Sequence, residues 1–224
     1  MQTETEQLIR RRRSVRAYLP NAVEKHVIES LLACARQAPS GANLQPGRFH
    51  VLTQQPLQSL SERLVAAARE KRPAVSEYSY FPDTLSTELK TRQQAAGYAL
   101  YDALGIGRRD VAMRREQFNQ NYCFFNAPVG IVVSIQKDMG KGCFMDAGMA
   151  IMNLLLSAEA RGLGTTGIGA LANYGDLVHD HLRLAENELV VCGIALGYPD
   201  KDHPINSVRT DREPLCEYAE FYGF

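Results

Sequence analysis

The chain predicts an α+β fold, a single domain over residues 1–224 built on one central mixed sheet flanked by helices. Three observations carry that expectation. Helix-period and strand-like segments interleave without the regular βαβ repetition of a doubly wound fold, only three or four strands stand out, and helical stripes take up most of the length. No internal repeat, low-complexity tract or linker divides the sequence.

Thr5 is placed to cap a short helix carrying Leu8 and Ile9, which ends in a run of arginines. A second helix is predicted over 24–38, with Val27, Ile28, Leu31, Leu32 and Ala35 on one face and Pro39 as its stop. After a turn of small and amide residues, 48–53 reads as a strand. Pro56 suits a helix start, and Leu57, Leu60, Leu64 and Ala68 continue a stripe to about residue 71. From 72 to 126 the apolar density falls: Tyr78, Tyr80 and Phe81 cluster before Pro82, then two polar helical stretches succeed them at 87–104 and 108–120. This predicts a helical insertion folded over the surface as a lid or substrate wall.

Residues 129–135 are apolar and β-branched, as in a buried strand. The helix predicted over 143–161 is apolar nearly all round, so the core or a partner subunit must cover it, and Gly162 is placed to end it. A short helix at 176–183 and a long strand at 188–198 complete the core. The tail, 199–224, is polar with spaced aromatics and predicts a segment that wraps a neighbour.

With 25 Lys+Arg against 25 Asp+Glu, the formal charge is zero, and no basic excess points to nucleic acid. Five scattered cysteines without a C-x-x-C pair suit reduced thiols in a cytoplasm. No signal-peptide pattern opens the chain, and the longest uncharged helical run, 147–158, has 12 residues where a bilayer needs about 20. The expected partners are a small molecule and a second copy, with no membrane and no metal; His179 and His181 lack a third ligand nearby.

Four segments carry candidate chemistry. Arg10, Arg11, Arg12, Arg13 and Arg16 with Ser14 concentrate guanidinium forks and a hydroxyl suited to phosphate, although a solvated basic face has the same composition. Pro39-Ser40-Gly41-Ala42-Asn43-Leu44-Gln45-Pro46 is either a plain helix-to-strand loop or a turn that lets a flat ring approach. Gly162-Leu-Gly164-Thr-Thr-Gly167 fits the letters of a dinucleotide fingerprint, but a long helix precedes it where a strand is required. It reads instead as a helix stop and then a glycine-lined stretch or an ordinary tight loop. Arg209 to Leu215 forms an arginine-bearing tail before a Pro-Leu pair.

In this order the four segments resemble the FMN-dependent nitroreductase family, through R-R-S-x-R at Arg12 to Arg16, P-S-x-x-N-x-Q-P at Pro39 to Pro46, the G-L-G run and the late arginine. The resemblance implies a nitroreductase-like fold and an obligate homodimer with an exchanged C-terminal tail. It implies that Arg12, Arg13 and Ser14 hold the FMN phosphate and ribityl end, with Arg16 at the N1 and O2 edge. Pro39, Ser40, Gly41 and Asn43 would touch the flavin of the other subunit. Gly167, Ile168, Gly169 and Ala170 would aim backbone donors at N5 and O4, while Arg212, or failing it Arg209, would reach the phosphate. Gly47 departs from relatives that carry Trp there. NADH or NADPH would reduce bound FMN, and nitroaromatics or quinones would accept the electrons by a ping-pong route with no catalytic side chain. Tyr78, Tyr80 and Phe81 are the candidate stacking residues for the acceptor, or else packing residues that pin the lid. The rivals are another flavin chemistry on the same fold (enone reduction, dehalogenation, flavin fragmentation) and a non-catalytic flavin-binding or redox-sensing protein.

Overall fold

The computed structural model describes residues 2–224. Its helices are α1 (Glu4–Arg11), α2 (Lys25–Ala35), α3 (Gln54–Arg69), α4 (Thr87–Ala103), α5 (Val111–Asn119), α6 (Lys141–Ala160), α7 (Gly175–Leu182) and α8 (Leu215–Tyr218). Four strands, β1 (Arg48–Thr53), β2 (Val129–Gln136), β3 (Gly164–Ile168) and β4 (Glu188–Gly197), form one sheet in the order β1-β2-β4-β3. All three strand pairs are antiparallel. The mixed character expected of the sheet is limited to one parallel bridge, Ser14 to Thr165, on the outer edge of β3.

The sheet separates two cores, as alternation along a strand requires. Ile131 and Val133 face α2 and α6 with Leu31, Leu154 and Ala158, whereas Val132 faces α3 with Leu60, Leu64 and Phe124. Thr3, rather than Thr5, caps α1: its hydroxyl accepts the Glu6 N–H and the Glu6 carboxylate accepts the Thr3 N–H, a reciprocal box. Gly162, at φ 74, stops α6 and lets the Leu163 N–H reach the Ala158 carbonyl at 2.9 Å. The glycine-lined stretch beyond it is a strand, not a loop, because Gly164 to Ile168 pairs along the whole of its length with β4.

The 20 residues of α6 are long and apolar enough, by those two measures, to cross a membrane. The helix outruns the 12-residue uncharged stretch because Lys141, Asp146 and Glu159 lie within it. Ala147, Leu154, Leu155 and Ala158 are buried in the chain, while Met145, Met149 and Met152 stand exposed.

The insertion is helical where expected but ends earlier. Tyr122, Phe124 and Phe125 are buried in the α3-side core, hidden in sequence among Asn119, Gln120, Asn121 and Asn126. Its first segment is tied down to the core. Arg72 pairs with Asp176 at 2.5 Å, the Val75 N–H bonds the Asn173 carbonyl at 2.8 Å, and Lys137 pairs with Glu77 at 2.7 Å. The tail beyond Glu213 leaves Leu215, Tyr218, Phe221, Tyr222 and Phe224 exposed.

Candidate active site

The bridge from Ser14 to Thr165 lays the arginine segment along the free edge of β3. The Val15 N–H bonds the Thr165 carbonyl at 2.9 Å, and the Val15 side chain packs where a Cβ on Gly164 would stand. Both segments run in the same direction at this bridge, and the Arg16 N–H then leaves the β3 edge for the Asn206 side chain, at 2.8 Å. The segment is fixed again at Tyr18, whose buried hydroxyl donates to the Val15 carbonyl at 2.7 Å, and at Leu19, whose N–H bonds the Tyr198 carbonyl at 2.8 Å. Burial pushes the Tyr18 hydroxyl far up, so it stays protonated, although the Arg16 charge opposes the shift.

Arg10, Arg12, Arg13, Ser14 and Arg16 line one cavity of about 500 Å³ together with Arg209 and Arg212; Ala96 and Leu100 of α4 form its apolar wall. Six arginines and no carboxylate line it. Burial and then the nearby Arg209 charge lower the Arg13 pKa, against a smaller raising effect of Glu159. Burial also lowers that of Arg16, whose guanidinium carbon sits 6.0 Å from the centre of the Phe125 ring. Both remain cations at neutral pH, since an arginine starts above 12. Like charges held together against desolvation need an anion, and the donor set matches a phosphate with its ribityl hydroxyls. The cavity volume lies within the range of small-ligand sites, so these residues fit the phosphate end of FMN.

The two tail arginines differ. Arg209 acts on Arg13 directly, whereas the Arg212 guanidinium folds back on its own segment, donating to the Thr210 carbonyl and hydroxyl and the Asp211 carbonyl at 2.8–3.0 Å. Arg209 also donates to the neighbouring Val208 carbonyl, at 3.3 Å, and both arginines line the cavity. Arg92 of α4 holds this stretch through Glu213 at 2.7 Å.

Within the glycine-lined stretch Gly164, Thr165 and Thr166 are buried. Gly167 is open to solvent, the Ile168 side chain is buried, and Gly169 and Ala170 enter a 3-10 turn beneath Tyr80. The Tyr80 ring lies so close that a Cβ on Gly169 would stand 2.9 Å from it. Tyr80 and Phe81 form an exposed edge-to-face pair, centroids 4.9 Å apart. Tyr78 separates from them. Its hydroxyl donates to the Val191 carbonyl at 2.5 Å, its ring meets Phe144 at 5.7 Å, and burial pushes its pKa up to about 12. Of the three aromatics expected at the acceptor, Tyr78 is thus the one bonded into the core, while Tyr80 and Phe81 are exposed.

Pro39, Ser40, Gly41 and Asn43 lie elsewhere, before β1 on the opposite edge of the sheet. Ala42, Asn43 and Gln45 all have φ near +50°, a strained run held by the Ser40 hydroxyl accepting the Gln45 N–H and by Asp146 of α6 accepting the Gly41 N–H. Three strand spacings, about 14 Å, separate β1 from β3. One chain does not bring the two halves together.

Sequence reasoning missed two features. Asn206, 2% exposed, bonds the Arg16 backbone; a lone Asn in a polar tail carries no pattern. Ser134, His50, Arg48 and Glu188 meet on β1, β2 and β4, where Ser134 donates to Glu188 at 2.6 Å and Arg48 pairs with it at 2.7 Å. Ser134 is fully buried and points its proton at a carboxylate, so this is a brace and no nucleophile. Among the described residues no His/Cys/Asp/Glu group could hold a metal, and the His179 ring bonds the Ala185 carbonyl. A larger groove of about 730 Å³ beside α3 mixes Glu62, Arg69 and Glu70 on an apolar wall and has no excess of positive charge.

Residues 9–198 match the model of the Nitroreductase family. A 4-nitrobenzoate reductase of Pseudomonas putida is 36% identical over 213 residues, covering 95% of this chain and 93% of that protein. The crystal structure of the FMN and NADPH-dependent nitroreductase NfnB from Sphigopyxis sp. strain HMH superposes with a TM-score of 0.95 at 32% identity, covering 99% of this chain and all of that one. The FMN-dependent nitroreductase NfnB from Mycobacterium smegmatis, solved in complex with NADPH, gives 0.91 at 29% identity, with 97% of each chain covered.

Proposed function

This chain belongs to the nitroreductase family, and from that premise we propose that it is an FMN-dependent oxidoreductase that takes electrons from NAD(P)H and reduces nitroaromatics or quinones. The observation that carries this reading is the carboxylate-free cavity lined by Arg10, Arg12, Arg13, Arg16, Arg209 and Arg212. The relatives' substrates and cofactors support it: 4-nitrobenzoate for one, FMN and NADPH for the others.

Bound FMN supplies two-electron exchange between a reduced nicotinamide and an electron-poor acceptor. The chain's own residues do the rest. Arg12, Arg13, Ser14 and Arg209 bind the phosphate end, with Arg212 in reserve. Arg16 would offer a fixed positive charge to the flavin ring, and its burial makes that charge count for more than it would in water. The backbone from Gly167 to Ala170 donates along the ring edge. Tyr80 and Phe81 offer a surface for an aromatic acceptor. Donor and acceptor use the same open face in turn, which gives ping-pong kinetics.

A second copy completes the site. The place of the Pro39 to Asn43 turn, at the far edge of the sheet from the arginines, supports a role at a partner's flavin. The exposed methionines of α6 and the uncovered aromatic tail are the surfaces such a homodimer would bury, with the tail exchanged. The test is anaerobic mixing of the purified protein with NADPH or NADH, and then with 4-nitrobenzoate, nitrobenzene and a quinone. A yellow dimer bleached by nicotinamide and recoloured by acceptor is expected. A protein that stays colourless when incubated with FMN overturns the reading, and an active monomer in sedimentation overturns the shared site.

A further inference from the structure

Asn206 lies in the 3-10 turn Pro204–Ser207, between the end of β4 and the tail arginines. Three of its four hydrogen-bonding directions are used, each at 2.8 Å. Its Oδ1 accepts the Arg16 N–H, and its Nδ2 donates to the carbonyls of Ala17 and Asp200. Arg16 belongs to no strand, so this side chain does for its N–H what a neighbouring strand would otherwise do. The Ala17 carbonyl is shared with the Asp200 N–H at 3.0 Å, which closes the tie on both sides. An amide is the side chain of this size that offers one acceptor and two donors in a plane; Asp lacks the donors and Leu has neither.

The position matters as much as the bonds. Three residues after Asn206 comes Arg209, which lines the same cavity as Arg16. One buried amide therefore fixes the point from which each arginine-bearing arm departs. Among the described residues no carboxylate holds the Arg16 side chain; it meets the Phe125 ring and donates to the Ser14 carbonyl, at 3.4 Å. Its aim thus depends on its backbone. Resting on the FMN reading above, we infer that Asn206 is a positioning residue for flavin reduction, holding Arg16 in place and so raising the reduction potential of the bound flavin without touching it.

The test is a double-mutant cycle on FMN-loaded full-length protein, comparing wild type, N206A, N206D, R16A and the two combined variants. The readouts are the two-electron midpoint potential by dye equilibration and the rate of anaerobic reduction by NADPH. N206D is nearly isosteric and keeps the acceptor for Arg16 while losing both donors, so it remains informative where N206A folds poorly. Each single Asn206 variant is expected to slow reduction about tenfold and to lower the potential by about 30 mV, the two-electron equivalent of tenfold. In the R16A background neither substitution should move the potential further. Equal shifts in both backgrounds, as a general loosening or a bare charge effect would give, overturn the inference, and so does a wild-type potential in the single variants. A wild type that binds no FMN fails at an earlier step and removes the functional reading itself.

Discussion

Replacing Gly164 by Ala tests whether β3 and the arginine segment are built as one unit. A Cβ at residue 164 would stand 2.6, 2.8 and 2.9 Å from the Val15 Cγ2, Cβ and Cγ1, where carbon atoms normally rest at 3.5–4.0 Å. Val15 has little freedom to yield. It is 2% exposed, its branched Cβ restricts χ1, and its N–H is bonded to the Thr165 carbonyl. The two backbones must therefore part by roughly 1 Å, at about 1–3 kcal/mol for overpacking a filled site. Removing glycine's excess freedom in the unfolded chain returns only about 0.4–1 kcal/mol. A net loss of about 1–2 kcal/mol lowers the melting temperature of a chain this size by roughly 2–8 °C.

The same displacement moves Ser14 and Arg16, the neighbours of Val15, so FMN affinity should fall with stability. Thermal melts of apoprotein and fluorescence titration with FMN measure the two effects. Gly167→Ala is the matched control, because nothing lies within 4 Å of its Cβ. Its apoprotein should melt like wild type, yet it should bind FMN more weakly, since the methyl would stand on the exposed edge assigned to the ring. G164A melting and binding FMN as wild type does would refute the coupling. G167A binding FMN normally would move the ring away from that edge.

Removing Arg209 should weaken FMN binding roughly 10- to 100-fold, the worth of a charge-assisted bond to phosphate, and R212A should cost less; the reverse order in equilibrium dialysis would show that Arg212 uncurls onto the ligand. Burial alone would raise the Glu188 pKa, but the Ser134 hydroxyl, Arg48 and His50 outweigh it and hold it below the usual carboxylate value, while burial lowers that of His50. Both shifts place stability at higher pH: the His50 share is complete above about 6.5 and declines below it, and the Glu188 share is complete above about 4.5 and is lost as pH falls through its lowered folded value. E188Q should therefore melt lower than wild type at pH 7, with the gap closing as pH drops below about 4; a gap independent of pH would sink the assignment. Tyr78→Phe should cost about 1 kcal/mol of stability through the lost bond to Val191 and leave acceptor kinetics alone. Tyr80→Ala, at an exposed residue, should instead change acceptor kcat/KM with little change in melting, and the opposite pattern would exchange the two roles.

How much of this was legible in sequence depended on whether the signal was local. The strand at 48–53 and the runs at 129–135 and 188–198 were found within a residue of their ends because β-branched residues crowd there. β3 escaped because Gly-Thr-Thr-Gly-Ile has no such density; it is a strand only because β4 pairs with it on one side and Ser14 and Val15 lie on the other. Phe124 and Phe125 were assigned to a surface insertion because their neighbours are amides, and their burial depends on α3, some 60 residues earlier. The site divides in the same way. The arginine run at 10–16 is compatible with an anion site or with a solvated basic face, and nothing local says that residues 12–16 and 209–212 share one cavity, or that a single Asn ties them together. Most consequential is the distance between the motifs. Pro39 comes 23 residues after Arg16, and nothing in the residues themselves separates the two; only the family resemblance assigned the Pro39 turn to the other subunit. The sheet order puts them on opposite edges with β2 and β4 between. That separation, about 14 Å across the sheet, is a fact of strand order that spacing in sequence does not contain, and it is what motivates the proposal of a site shared between two chains.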